Sequence, residues 1–92
     1  MRGDYILLPA DGYWKFVCVK GQYRFVDATG FYTSHGDAVK EGEVGTSAGT
    51  ISIRGKTWQV EDTKSTSLNL HMDGNDYTAL NALLKRELVS RW

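Results

Sequence analysis

Cys18, His35 and His71 are the chain's whole stock of thiol and imidazole groups. No two of them stand at the short spacing from which zinc sites are built, and a single cysteine closes no intrachain disulfide. Ser34-His35-Gly36-Asp37 contains the residue types of a hydrolytic triad. Adjacent residues cannot converge as nucleophile, base and orienting acid, so the stretch reads as a helix cap, Ser34, with Asp37 at the third helical position. Asp73-Gly74-Asn75-Asp76 starts like a calcium loop. Tyr77 stands where the next oxygen ligand belongs, however, and Leu84 where a bidentate glutamate should close the site. Gly45 to Thr50 lacks the Lys-Ser/Thr ending of a phosphate loop. The acidic pairs Glu41/Glu43 and Glu61/Asp62 sit in polar segments with no base beside them. The expectation is a non-enzymatic protein with no catalytic, metal or cofactor-binding residues.

The remaining chemistry is aromatic. The 92 residues carry eleven basic and eleven acidic side chains, yet also three Trp, five Tyr and three Phe. Neither half is basic: residues 1–46 hold five cations and six anions, residues 47–92 six and five. That balance gives no electrostatic footprint for a nucleic-acid backbone. Trp14, Phe16, Tyr23 and Phe25, flanked by Lys15, Lys20 and Arg24, have the composition of a base-stacking platform. They are equally what a small sheet needs for its core. Tyr13, Lys15, Gln22 and Arg24 fall on the opposite face, and Tyr and Arg are the types in which interface energy concentrates. Trp92 either closes the core or anchors a partner. The candidate partner-binding residues are therefore Tyr13, Trp14, Lys15, Arg24 and Trp92.

The elements that must position them follow from periodicity. Tyr5 to Leu8 is a short apolar stretch closed by Pro9. Tyr13 to Val19 and Gln22 to Val26 alternate around Lys20-Gly21, which predicts a hairpin pairing Cys18 with Tyr23 and Phe16 with Phe25. Both its faces carry apolar residues, so cover on both sides is expected. A short helix is expected over 35–43 and a flexible link over the small residues 45–50. Ile51 to Arg54 and Thr57 to Glu61 alternate around Gly55-Lys56, placing Ile53 against Trp58 and Ile51 against Val60. Ser67 to Met72 extends this into a three-stranded meander whose outward face, Ser52, Arg54, Thr57, Gln59, Glu61, Asn69 and His71, is polar. A C-terminal helix over 76–92 presents Tyr77, Leu80, Leu84 and Leu88, widened by Ala79 and Leu83. The sum is a single α+β domain: an antiparallel sheet of five to six strands, hairpin plus meander, packed by the C-terminal helix and one short helix.

No stretch has the length of a membrane helix or the apolar core of a signal peptide, and the expected compartment is the cytoplasm. Arg2-Gly3-Asp4 matches the integrin-recognition tripeptide and reads as chance. Gly12-Tyr13-Trp14-Lys15-Phe16 through Gly30-Phe31-Tyr32-Thr33-Ser34, with the helix expected behind it, resembles the strand–strand–helix arm-type DNA-binding modules of phage and transposon integrases. Those modules are strongly basic and this segment is not, so no functional residue carries over. The expected function is protein binding, in its narrower form as a phage or mobile-element accessory that inhibits or modulates a host machine. The alternative is a nucleic-acid-binding domain using the aromatic and basic sheet face. Self-association through an open sheet edge is a further option.

Overall fold

Lys20 and Gly21 both take left-handed backbone angles, φ 52° and 78°, the type I′ geometry that matches the twist of a two-residue hairpin. Around this turn run β1, Gly12–Val19, and β2, Gln22–Asp27. Cys18 lies against Tyr23 and Phe16 against Phe25, as the alternation predicts. The computed structural model describes residues 5–28, 38–62, 68 and 70–89. A second hairpin joins β3, Gly45–Arg54, to β4, Thr57–Glu61. It turns on Gly55 (φ 61°) and sets Ile53 against Trp58 and Ile51 against Val60. One four-stranded antiparallel sheet results, in the order β2-β1-β3-β4.

Residues 45–50 are a correction. They form six of the ten residues of β3, a central strand that pairs with β1 from Gly12–Ile53 to Val19–Gly45. Small side chains here serve close approach rather than flexibility. A Cβ on Gly49 would come within 2.7 Å of the Phe16 ring and of the Glu61 carbonyl oxygen, and Ala48 is completely buried. Composition cannot separate a linker from a tightly packed strand of small residues.

The strand count is a second correction: among the described residues the sheet has four strands rather than five to six. Tyr5 to Leu8 contributes a single bridge, Ile6 to Phe25. Of the expected strand over 67–72, Leu70 is a lone bridge residue and 71–72 are irregular, while Ser67 and Asn69 lie outside the described residues. The His71 carbonyl accepts from the Ala48 amide at 3.4 Å, so this segment continues the line of β4 instead of adding a strand beside it. The short helix over 35–43 is not seen. Its first residues, with Phe31, Tyr32 and Ser34, lie outside the described set; Ala38 is a 3-10 residue, and 40–43 form a turn closed by Glu43 N–H donating to the Lys40 carbonyl at 3.0 Å. Among the described residues the likeness to strand–strand–helix modules has no α-helix as its third element.

The C-terminal helix α1 spans Gly74–Leu84 and continues as a π-helical turn over Lys85–Val89. Asp73 caps it: its carboxylate accepts from the Asn75 amide, and the Asp76 carboxylate accepts from the Asp73 amide. Leu80, Leu84 and Leu88 are buried as expected. Tyr77 and Ala79 are exposed, so they do not belong to the apolar stripe.

Two cores sandwich the sheet. Under α1 pack Phe16, Phe25, Ile51, Ile53 and the three leucines, with Trp14, Tyr23, Trp58 and Met72 at the margin. The opposite face of the first hairpin buries Val17, Val19 and Val26 with Ala38, Val39 and Ala48, flanked by Tyr5, Leu68 and Leu70. The turn half of the first hairpin is thus covered on both sides, whereas its Tyr13 end is open and the outer face of the second stays polar.

Candidate functional site

Strand alternation sends Trp14, Phe16, Ile51, Ile53, Trp58 and Val60 toward α1, and therefore Tyr13, Ser52 and Gln59 to the other face. Tyr13 lies directly across from Ser52, and Ser52 from Gln59. These three residues form one row across β1, β3 and β4, with Arg54 and Thr57 as the next pair toward the turn. They line a shallow, open depression of about 800 Å³ with Asp11 and Gly12 at its rim.

Its frame is fixed by hydrogen bonds. The Asp11 carboxylate accepts from the Gly55 amide at 3.1 Å, tying the start of β1 to the β3–β4 turn. The Tyr13 carbonyl accepts from Ala28 N–H at 2.9 Å, and Thr57 Oγ1 donates to the Arg54 carbonyl at 2.8 Å. From below, Trp58 Nε1–H donates to Asn81 Oδ1 at 2.7 Å, so the floor of β4 is bolted to α1. Tyr13 is 41% exposed on this framework, a large ring whose backbone has no freedom to follow it.

Of the five expected partner-binding residues, the four among the described residues do not converge. Tyr13 is at the surface. Trp14 turns to the helix side, half-buried, with Nε1–H donating to the Ala10 carbonyl at 2.8 Å. Lys15 is half-buried one row further along, across from Thr50. Arg24 is 6% exposed and engaged by Glu43, Gln22, the Ala38 carbonyl and the Tyr5 ring, so its guanidinium serves as a clasp within this fold. Trp92 lies outside the described residues. Phe16 and Phe25 are completely buried beneath α1, which leaves neither ring open to stack on a base.

Charge near the depression is mixed. Arg54 and Lys56 are exposed at the β3–β4 turn with Asp11 beside them, and Glu61 is exposed at the other end of β4. Among the described residues no group of three His, Cys, Asp or Glu is placed to hold a metal ion. Hydroxyl, amide and guanidinium groups around one ring can hydrogen-bond and stack, and the open shape gives a small ligand little enclosure.

Ser52, Arg54, Thr57 and Gln59 were legible as an outward polar face. Their junction with Tyr13 was not, because it depends on β1 pairing with β3 across the stretch that composition marks as a link. No helix among the described residues is long and apolar enough to cross a membrane. The chain matches no family model, no curated protein and no solved structure.

Proposed function

We propose that the chain is a non-enzymatic module that binds another protein through the outer face of β1, β3 and β4, with Tyr13 as anchor and Arg54 as its charged neighbour. The observation that carries this is the exposed Tyr13 ring, held on a hydrogen-bonded sheet in an open depression. A rigid aromatic ring loses little entropy on docking, and a guanidinium beside it supplies directional hydrogen bonds; such pairs dominate interface energetics. A flat, wet surface of this kind suits a macromolecular partner better than a small molecule, which needs enclosure. The narrower role, a phage or mobile-element accessory acting on a host machine, draws only on the likeness in element order and adds no residue to this surface.

Affinity capture with the whole chain tests the proposal. Wild-type protein is expected to retain a stoichiometric protein partner, and Tyr13→Ala and Tyr13→Ala/Arg54→Ala to lose it while keeping the wild-type circular dichroism. Capture that survives in the double variant, or the absence of any partner, overturns it. Capture abolished by nuclease treatment overturns it in favour of a nucleic-acid partner.

A further inference from the structure

The two edges of the sheet are finished differently. On β2 the outward backbone of Phe25 is occupied: its amide donates to the Ile6 carbonyl and its carbonyl accepts from the Ile6 amide, each at 2.9 Å. At the other side β4 ends the sheet, and among the described residues no strand lies beyond it. The groups it leaves open follow from the hairpin. Arg54 and Thr57 flank the two-residue turn as a directly bonded pair, so Thr57, Gln59 and Glu61 turn their backbone groups to β3 while Trp58 and Val60 turn theirs outward. The Ala48–His71 bond agrees with this parity, since Ala48 shares the alternation of Thr50 and Ser52 and reaches toward the β4 side.

β4 carries few of the features that blunt an edge. It reads Thr-Trp-Gln-Val-Glu, with no proline, no lysine or arginine, no bulge in its register with β3, and a single charge, Glu61, at its end. The side chains it sends inward, Trp58 and Val60, are apolar and only half covered. The strand is also complementary to itself. Two copies set antiparallel about a two-fold axis at Gln59 bring the outward backbone of Trp58 to that of Val60 of the second copy, and the reverse. Thr57 then lies beside Glu61 of the second copy, Gln59 beside its own equivalent, and no like charges oppose.

We propose that the chain forms a two-fold dimer by antiparallel pairing of β4 with β4 of a second copy, joining the two sheets into one. The seam covers the open flanks of Trp58 and Val60 and uses their free amides and carbonyls. It also continues the row Tyr13–Ser52–Gln59 into the same row of the second copy, with the two tyrosines about 24 Å apart at about 4.8 Å per strand step. So short a seam makes a concentration-dependent dimer.

Sedimentation velocity of the purified chain across a dilution series is the test. Gln59 is exposed and sits on the axis, so Gln59→Lys or Gln59→Glu places like charges face to face without touching the monomer's core. Wild type should move from 10.3 kDa toward twice that mass as concentration rises. Each charged variant alone should stay at monomer mass with an unchanged circular dichroism spectrum, and an equimolar mixture of the two should recover the dimer. A wild-type chain that stays monomeric to its solubility limit overturns the proposal; that includes the case in which the edge accepts a strand from a different protein. A Gln59→Lys variant that dimerises like wild type, or a mixture that stays monomeric, overturns it as well. Tyr13→Ala should dimerise as wild type does, which keeps failure of this dimer distinct from failure of the partner surface.

Discussion

Arg24 and Glu43 meet through both prongs of the guanidinium, with Nη1 donating to Oε1 at 2.6 Å and Nη2 to Oε2 at 2.9 Å. The same Arg24 donates to the Ala38 carbonyl at 3.0 Å and lies 4.5 Å over the Tyr5 ring. One buried side chain thereby holds the turn over 38–43 and the segment around Tyr5 to the back of β2. Hydrogen bonds from Arg24, and then from the Lys40 amide, lower the Glu43 pKa from the ordinary 4.5 to about 2. A carboxylate depressed by folding contributes its stability above the unfolded value and loses it as pH falls through the folded one. Thermal melts of wild type should therefore drop in Tm between pH 4.5 and about 2 more steeply than those of Glu43→Gln, which starts lower at neutral pH. Parallel pH profiles for the two proteins would refute this.

Two substitutions inside β3 should differ in their effect on stability. Gly49→Ala pushes a methyl into the Phe16 ring and the Glu61 carbonyl, and overpacking of this kind costs roughly 1–3 kcal/mol. Ser47 Oγ is buried and finds no hydrogen-bond partner among the described residues. Ser47→Ala should be neutral or stabilising by up to about 1 kcal/mol, since it removes an unpaid desolvation. Urea denaturation of both variants measures the contrast, and a Gly49→Ala chain as stable as wild type would show that the strands can move apart.

Tyr23 Oη–H donates to the buried Asp76 carboxylate at 2.7 Å and joins β2 to the first turn of α1. Burial first, and then the Asp76 carboxylate, raise the Tyr23 pKa well above the ordinary 10.0. Stability from a phenol shifted upward is present below its unfolded pKa and is lost as pH rises beyond about 10. Tyr23→Phe should cost about 1–2 kcal/mol at neutral pH by leaving Asp76 short of a donor, and should flatten the alkaline loss. Ultraviolet titration followed alongside circular dichroism should show one tyrosine ionising only as the chain unfolds.

Within α1, Leu80→Ala should cost about 2–5 kcal/mol because Leu80 is completely buried, enough to lower the Tm by more than 8 °C at about 4–8 °C per kcal/mol. Tyr77→Ala should stay within about 0.5 kcal/mol of wild type, since that ring is 53% exposed. Equal losses in differential scanning calorimetry would mean that Tyr77 packs on something the expected stripe had right.

Local alternation and turn chemistry determined both hairpins. Lys20-Gly21 and Gly55-Lys56 each leave only one pairing that keeps Phe16 with Phe25, or Ile53 with Trp58, on one face, and a slip of one residue would send every apolar side chain to the wrong side. The stripe Leu80, Leu84 and Leu88 was legible for the same reason, as a 3.6-residue period against a polar background. Tertiary structure alone decided that Gly45 to Thr50 is a central strand, that Arg24 is a buried clasp, and that Tyr13 shares a row with Ser52 and Gln59. All three depend on partners far away in sequence: Gly49 needs the Phe16 ring above it, Arg24 needs Glu43, and Tyr13 needs β3 beside it. Composition reports what a residue can do next to its neighbours in the chain. Which distant backbone it is pressed against is set by the packing of the whole sheet.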